Sequence, residues 1–427
     1  MNTRTLLTLA LPALFLPHFL RAQGSLTPPG APAPTMKTLD QIEPRKEINA
    51  ANTPGDADSI FKITQPGSYY LTGNITGVSG KIGIEIAVAA DGPGVTIDLM
   101  GFELAGEPGS LDGIAATGAG TRNIAIRNGT VRAWGGDGID ILNSQNNLLS
   151  DLRAQGNGAR GINAGASSTI TGCTAQSNTG GGISALTGSN VTACASAFNG
   201  GDGIDADIGS TVKGCTMLNN GGDGIFAAAS SVTDCTVQGS TGDGILASGC
   251  SVTNCTVQGS TGDGFDASNG STVTGCTAKS NTGDGFRVSN GSMVTGCTAS
   301  GNVGDGIDVG SHCTVTRCTS SSNTLNGIRI GSNSRVTDNT CDDNGVGVGL
   351  FSGIFTLGDH NRIEGNNVTN NDFGIGVGGT GHLIVRNYAG SNTTNYSLPV
   401  SGSFIGTIVS TSAGMNAAEN ALINISF

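Results

Sequence analysis

The stretch that decides the fold is SVTDCTVQGSTGDGILASGC (231–250), which continues as SVTNCTVQGSTGDGFDASNGS (251–271) and TVTGCTAKSNTGDGFRVSNGS (272–292). The three segments differ in length by one residue at most. They carry valine, cysteine, threonine and Gly-Asp-Gly in the same phase. A short unit that recurs in this way is typical of a repeat architecture, in which each copy packs on the next.

The repeat extends in both directions from these segments. An apolar residue that follows glycine recurs at a nearly constant interval: Ile139, Ile162, Ile183, Ile204, Ile225, Ile245, Phe265, Phe286, Ile307 and Ile328. A cysteine column has the same period: Cys173, Cys194, Cys215, Cys235, Cys255, Cys276, Cys297 and Cys318. A third column is asparagine, with serine in the two shorter units: Asn157, Asn178, Asn199, Asn220, Ser240, Ser260, Asn281, Asn302, Asn323 and Asn344.

These columns predict an all-β chain in which each unit of about 21 residues is one coil of a right-handed parallel β-helix, a single-stranded solenoid. The apolar runs are short and β-branched, and no long segment has a helical period. A unit of this size cannot bury its own apolar face, so identical positions should stack at about 4.8 Å. We expect about 12 coils. The asparagine column is expected at a bend, because asparagine tolerates the left-handed conformation and its amide can bond to the asparagine above.

The segments ITQPGSYYLTGNITG (63–77), VTIDLMGFELAG (95–106) and IAIRNGTVRAW (124–134) precede these coils. Together with the coil consensus they resemble the pectin-lyase-like right-handed β-helix superfamily, in particular its secreted bacterial repeat proteins. The resemblance covers roughly residues 58–395. It implies the fold but no single activity, because the superfamily includes lyases, hydrolases, epimerases, adhesins and phage tailspikes.

The ends of the chain predict four segments. Residues 1–22 read as a signal peptide, with Arg4 before an apolar run (6–20) that is short for a membrane span and is interrupted by proline. The alternative is an uncleaved N-terminal anchor. Residues 23–57 are a proline-rich linker that leads into the fold, 58–395 the β-helix and 396–427 a C-terminal cap. We therefore expect a secreted, periplasmic or cell-surface protein with no membrane span after cleavage.

Composition excludes several classes of function. Glycine supplies 71 of 427 residues, only 12% of residues are charged and the net charge is −12. An acidic chain lacks the basic surface that phosphate contact requires, so nucleic acid is not expected as a partner. Eleven cysteines suggest disulfides at first sight. Eight of them share one inward column, however, and stacked parallel Cβ vectors are poor disulfide geometry, so buried thiols are expected.

One column predicts a ligand-binding face. Three positions beyond the Gly-Asp-Gly aspartate, successive coils carry Phe226, Leu246, Asp266, Arg287, Asp308 and Arg329. Apolar side chains can contact sugar faces, arginine can bind uronate carboxylates and aspartate can accept sugar hydroxyls. The alternative is an exposed ladder of ion pairs in which charges of opposite sign alternate.

The Gly-Asp-Gly turns predict a second candidate site. Stacked aspartates repel one another unless they face water or share cations, so calcium along this edge is one hypothesis. The candidate ligands are Asp243, Asp263, Asp284 and Asp305. The alternative is that aspartate is used for its local hydrogen bonds to the backbone.

Specific signs of catalysis are few. Asp266 and Asp308 stand two coils apart, about 9.6 Å, which could suit the two carboxylates of an inverting hydrolase. Asp342-Asp343 resembles the paired aspartates of β-helical polygalacturonases, but the companion Gly-His-Gly and Arg-x-Lys elements are absent. The sequence therefore favours polysaccharide binding. The alternatives are a polysaccharide lyase, hydrolase or epimerase, and a structural spacer or adhesin. Oligomeric state stays open.

Overall fold

The computed structural model describes residues 43–89, 92–345, 347, 349–398, 402–410 and 422–426. The predicted signal peptide (1–22) lies outside the described residues, as does the linker as far as residue 42. The described part of the chain contains β-strands and turns and no helix. It folds as a parallel β-helix built from two sheets, as the repeat predicts.

Sheet 1 contributes one strand to each coil. Its sixteen strands pair in parallel and in chain order. They are β2 (Ser59–Ile63), β5 (Ile82–Ile86), β8 (Ile114–Ala116), β10 (Ile139–Ile141), β12 (Ile162–Ala164), β15 (Ile183–Ala185), β18 (Ile204–Ala206), β21 (Ile225–Ala228), β24 (Ile245–Ser248), β27 (Phe265–Ala267), β30 (Phe286–Val288), β33 (Ile307–Val309), β36 (Ile328–Ile330), β39 (Ser352–Thr356), β42 (Phe373–Val377) and β45 (Thr394–Ser397).

Sheet 2 has thirty-two strands and forms two ladders that meet at a corner. The first ladder contains β1 (Lys46–Glu47), β3 (Gly67–Tyr70), β6 (Val95–Asp98), β9 (Ile124–Arg132), β11 (Leu148–Gln155), β13 (Thr169–Thr171), β16 (Asn190–Thr192), β19 (Thr211–Lys213), β22 (Ser231–Thr233), β25 (Ser251–Thr253), β28 (Thr272–Thr274), β31 (Met293–Thr295), β34 (Thr314–Thr316), β37 (Arg335–Thr337), β40 (Arg362–Glu364), β43 (Leu383–Val385) and β46 (Phe404–Ile405). The long strands β9 and β11 also belong to the second ladder.

The other strands of the second ladder are β4 (Ile75–Thr76), β7 (Glu103–Ala105), β14 (Thr174–Gln176), β17 (Ala195–Ala197), β20 (Thr216–Leu218), β23 (Thr236–Gln238), β26 (Thr256–Gln258), β29 (Thr277–Lys279), β32 (Thr298–Ser300), β35 (Thr319–Ser321), β38 (Thr340–Asp342), β41 (Asn367–Thr369), β44 (Tyr388–Gly390), β47 (Ile408–Val409) and β48 (Asn424–Ser426). Each repeat therefore supplies three short strands, one to sheet 1 and two to sheet 2.

The coil count predicted from the sequence, about 12, is wrong, because sheet 1 alone has sixteen rungs in the described residues. The first coils vary in length, so the repeat period cannot be recognised there from the sequence. Ile84 pairs with Ile114 and Ile114 with Ile139, so these two coils are longer than the later ones and unequal to each other. From Ile162 onward the expected register holds. Parallel pairing runs from β1 to β48, and the predicted domain limits of 58–395 and 396–427 stay a prediction.

The core is a column of inward side chains within the coil. Isoleucine, valine, alanine and cysteine from the three strands are almost fully buried, and Phe265 stacks on Phe286 with ring centroids 4.7 Å apart. All eleven cysteines are free and buried, which confirms the prediction made for the eight in the inward column and extends it to Cys250, Cys313 and Cys341. Burial raises the pKa of the Cys250, Cys313 and Cys341 thiols, which keeps them protonated.

The asparagine column forms a buried hydrogen-bonded ladder, as predicted. Asn157 Nδ2 donates to Asn178 Oδ1 at 2.9 Å, and Asn178 Nδ2 donates to Asn199 Oδ1 at 2.8 Å. The left-handed residue of this bend is not the asparagine, however. It is the residue before it, as at Ser177 (φ 55°) and Phe198 (φ 56°). The predicted bonding between asparagine amides is therefore confirmed. The prediction that asparagine stands here because it tolerates a positive φ is wrong.

Glycine precedes the first isoleucine of most coils because that position has no room for a side chain. A Cβ on Gly203 would lie 2.5 Å from the carbonyl oxygen of Gly224 and 2.8 Å from Met217 Cγ. The Gly-Asp-Gly sequence thus brings one coil into close contact with the next and leaves the aspartate on the outside.

Candidate functional site

The outward side of sheet 1 carries all six residues predicted for ligand binding. They stand in direct register on consecutive rungs: Phe226 opposite Leu246, Leu246 opposite Asp266, Asp266 opposite Arg287, Arg287 opposite Asp308 and Asp308 opposite Arg329. Five rung spacings span about 24 Å. The column continues to Asp205 on one side and Phe355 on the other. We call the outward side of sheet 1 from Asp205 to Phe355 the sheet 1 face.

The charges on this face pair less regularly than simple alternation predicts. Arg329 Nη1 lies 2.8 Å from Asp308 Oδ2. Arg287 stands between Asp266 and Asp308, but its ion-pair contact is with Asp263 Oδ2 in the neighbouring turn, at 3.7 Å. The Arg287 side chain is 62% exposed. Arg329 is therefore held by the Asp308 carboxylate on the face. Arg287 projects into solvent, and its contact with Asp263 is long.

A hollow of about 320 Å³ opens beside these arginines. Its wall includes Arg287, Asn290, Asp308, Ser311, Arg329 and Leu357. Sequence reasoning missed Asn290, Ser311 and Leu357. Asn290 and Ser311 could have been found, because they stand in register in the turn that follows the strand, where Asn290 Oδ1 accepts the Ser311 N–H at 2.6 Å.

Leu357 could not be placed from the sequence, because an insertion lies between β36 and β39, the strand just before it. Ile328 pairs with Ile354, so this coil is five residues longer than its neighbours. The next coil returns to the usual length, because Ile354 pairs with Ile375. The extra residues leave Leu350 82% exposed. The shift also brings Phe355 into register with Arg329, so the last residue of the sheet 1 face is apolar.

The Gly-Asp-Gly aspartates form a ladder along one edge of this face. Asp202, Asp223, Asp243, Asp263 and Asp284 each accept, through Oδ1, the backbone N–H of the next aspartate at 2.6–2.8 Å. Asp305 closes the row by accepting from Asn326, through its backbone N–H at 2.7 Å and its Nδ2 at 2.9 Å. One oxygen of each carboxylate thus forms a hydrogen bond to the next coil.

Burial raises the pKa of several of these carboxyl groups. The pKa of Asp223 rises to about 6 and that of Asp284 to about 7, chiefly because burial disfavours the charged form, with neighbouring aspartates adding repulsion. Burial also raises the pKa of Asp243 and Asp305. In the described residues no three His, Cys, Asp or Glu side chains converge as metal ligands. Calcium at Asp243, Asp263, Asp284 and Asp305 stays a prediction.

The two carboxyl groups suggested for acid–base chemistry both stand on the face. Asp266 and Asp308 flank Arg287 in register, two rungs apart. Burial raises the pKa of each, and Arg287 opposes the rise in both. Two rungs are about 9.6 Å between backbones, slightly above the separation of the two carboxyl groups in inverting glycosidases.

A smaller hollow of about 140 Å³ lies farther toward the N-terminus on the same sheet. Arg160, Ser184, Asp202 and Asp205 contribute to its wall. Burial, together with repulsion from Asp202, raises the pKa of Asp205, and Arg160 opposes this rise. Arginine and carboxylate thus stand together at a second point along the outward side of sheet 1.

Comparison with known proteins identifies the repeat. The family model for the right-handed β-helix region matches residues 109–233 and 227–353. No curated protein matches the sequence. In the described residues no helix is long and apolar enough to cross a membrane.

Several solved structures resemble the chain at low identity. The A-module of Azotobacter vinelandii mannuronan C-5 epimerase AlgE6 is 14% identical, with 85% of this chain and 91% of that chain covered and a TM-score of 0.32. The periplasmic alginate epimerase AlgG is 14% identical, with 81% and 77% covered and a TM-score of 0.35. The siphovirus 9NA tailspike receptor-binding domain is 10% identical, with 92% and 78% covered and a TM-score of 0.36.

Proposed function

The chain belongs to the right-handed β-helix family, and from that premise we propose that it binds polysaccharide along the sheet 1 face. One observation carries the proposal: Phe226 and Leu246 lie in register with a charged row that ends at an open hollow beside Arg287 and Arg329. Apolar surface and a few convergent polar groups are what an elongated sugar ligand needs. The length of about 24 Å favours a polymer over a single sugar.

The arginines favour an acidic polymer over a neutral one. Arg287 is mostly exposed, and its ion-pair contact with Asp263 is long at 3.7 Å. A guanidinium group binds a carboxylate through two parallel hydrogen bonds, so a uronate could replace this weak contact with a stronger one. Asp308 and Asn290 supply acceptors for sugar hydroxyls beside it.

The predicted signal peptide (1–22) supports export, and we propose a secreted, periplasmic or cell-surface location. A polymer-binding face suits such a location, because extracellular polysaccharides are found there. The proposed organisation is a signal peptide, a linker (23–57), a β-helix (58–395) and a C-terminal cap (396–427).

Affinity electrophoresis of residues 23–427 through gels that contain polygalacturonate, alginate or dextran tests binding directly. We expect retardation by at least one acidic polymer. Arg287→Ala and Phe226→Ala should each weaken binding by about 10-fold, since the first removes the exposed guanidinium group and the second removes apolar surface for a sugar ring. Lys279→Ala is the matched control, because Lys279 is an exposed cation on the outward side of sheet 2. Equal loss in the control would indicate a general charge effect and overturn the sheet 1 face as the site, and no retardation by any polymer would leave the structural spacer as the better proposal.

Hydrolysis is the second candidate, favoured by Asp266 and Asp308 on either side of Arg287. Incubation of the same polymers, with and without calcium, should then give shorter chains. Absorbance of unsaturated uronides would identify a lyase in place of a hydrolase. Asp308→Asn should abolish turnover yet retain binding if Asp308 acts in catalysis. A polymer that stays intact under all these conditions would exclude this second candidate for that polymer.

A further inference from the structure

A third hollow, of about 350 Å³, lies on sheet 2 in the C-terminal part of the β-helix. It is formed by β37, β40 and the corner after β43, on a different sheet from the polysaccharide face. Its wall is Arg335, Thr337, Asp338, Glu364, Gly365 and Arg386. Neither the repeat consensus nor the proposed function uses these residues.

Glu364 fixes two arginines beside this hollow. It is 5% exposed, its Oε2 accepts from Arg362 Nε at 2.6 Å, and its Oε1 contacts the guanidinium group of Arg386. A buried carboxylate with two charge-assisted contacts holds the guanidinium groups in place and so reduces their freedom before any ligand arrives.

Arg335 adds a third positive charge, and among the described residues no carboxylate forms an ion pair with it. It is exposed and stands directly opposite Arg362, so like charges face each other on adjacent strands. Three guanidinium groups, of Arg335, Arg362 and Arg386, stand here with two carboxylates, of Asp338 and Glu364. One positive charge is therefore uncompensated in a chain whose net charge is −12.

We propose that this sheet 2 hollow binds an oxyanion: a carboxylate, sulfate or phosphate group. Arg335 and Arg386 line it from the rungs on either side of β40, which carries Glu364, and a bound oxyanion relieves the repulsion between Arg335 and Arg362. Gly365 also lines the hollow, and a Cβ there would lie 2.5 Å from Asp338 Oδ1. Asp338 opposes the anion and so limits the affinity.

Isothermal titration of residues 23–427 in chloride buffer, with inorganic sulfate, inorganic phosphate and acetate as separate probes, tests the proposal. At least one probe should bind saturably with a Kd below about 10 mM. The ranking of the three probes identifies the preferred group. Failure of all three to bind would overturn the proposal and leave the polysaccharide proposal untouched, because the two sites are on different sheets.

Two charge-changing variants have opposite expected effects. Arg335→Gln should weaken binding of the best probe by at least about 10-fold, whereas Asp338→Asn should strengthen it several-fold. Arg317→Gly is the matched control. Arg317 occupies the same left-handed corner as Asp338 one coil earlier but does not line the hollow, and other coils carry glycine there. Equal losses in Arg335→Gln and Arg317→Gly would indicate a general charge effect and overturn the site.

Discussion

At the scale of single residues, the asparagine ladder depends on amides that each serve two coils. Asn302 Nδ2 donates to Asn323 Oδ1 at 2.9 Å, and Asn302 Oδ1 accepts both the backbone N–H and the Nδ2 of Asn281. Removal of one amide therefore leaves groups on both neighbouring coils without a partner in a buried place.

We predict that Asn302→Ala lowers the free energy of unfolding by about 2–3 kcal/mol, since buried donors and acceptors lose their partners. Urea unfolding followed by circular dichroism would measure the change. Gln258→Ala, which removes an exposed polar side chain from the outward side of sheet 2, should cost less than about 0.5 kcal/mol. Similar midpoints for the two variants would show that the ladder adds little stability.

The aspartate ladder predicts an unusual dependence of stability on pH. Burial raises the pKa of Asp284 to about 7 and that of Asp223 to about 6, above the ordinary value of 3.8. The folded state therefore binds more protons than the unfolded state between about pH 4 and pH 7. The contribution of these groups to stability is present at low pH and is lost as pH rises through this window.

Asp284→Asn tests this dependence, because an amide oxygen can still accept the Asp305 N–H, as Asn326 Oδ1 accepts the Ser352 N–H at the end of the same row. The variant should be more stable than the parent at pH 8, by about 1–2 kcal/mol, and indistinguishable from it at pH 4. Thermal unfolding at a series of pH values gives the comparison. A parent chain that gains stability from pH 4 to pH 8, with no difference in the variant, would contradict the assigned pKa.

At the scale of the strand and turn, glycine sets the contact between coils. A Cβ on Gly244 would overlap Val257 Cγ1 and lie 2.6 Å from the carbonyl oxygen of Gly264. Gly244→Ala should therefore lower the free energy of unfolding by about 2–3 kcal/mol through overpacking.

The comparison for Gly244→Ala is Gly214→Asn. Gly214 has a φ of 63° at the corner between the two ladders of sheet 2, and in the described part of the chain no atom lies within 4 Å of the position a Cβ would take. Asparagine already occupies this corner at Asn254, with a φ of 54°. The cost should be about 1 kcal/mol or less, and a larger effect than that of Gly244→Ala would overturn the steric explanation.

At the scale of strands and turns, the regular coils could be predicted from the sequence and the early coils could not. The coils from Ile162 to Ile328 were predictable because the apolar column repeats without a gap and the asparagine column is replaced by serine in only two coils. The early coils were not, because equivalent strands there lie farther apart in the sequence and at uneven intervals. The partner of Arg287 was also missed: strand register predicts Asp266 or Asp308, but the long side chain turns to Asp263 in the adjacent turn.

At the scale of the whole molecule, each coil contacts only its neighbours, so the number of coils should be adjustable. We predict that deletion of residues 166–186, one full coil between β12 and the equivalent turn of the next coil, yields a folded β-helix with cooperative unfolding. The register stays intact, because Ile162 and Ile183 are equivalent positions.

Deletion of residues 166–176 is the matched control for the full coil. This shorter deletion removes about half a coil and puts inward residues out of phase, so the chain should lose its β-sheet circular dichroism signal or aggregate. A folded product from the half-coil deletion, or an unfolded one from the full-coil deletion, would mean that the coils are not independent units.

The order of side chains along the sheet 1 face has a consequence for how a long ligand is aligned. The rungs are evenly spaced, yet the apolar pair Phe226 and Leu246 occupies different rungs from the two arginines, Arg287 and Arg329. A polymer that moved along the face by one rung would bring a charged group onto an apolar rung. If the face binds a polymer as proposed, the even spacing alone would allow many alignments, and the uneven chemistry would favour one of them.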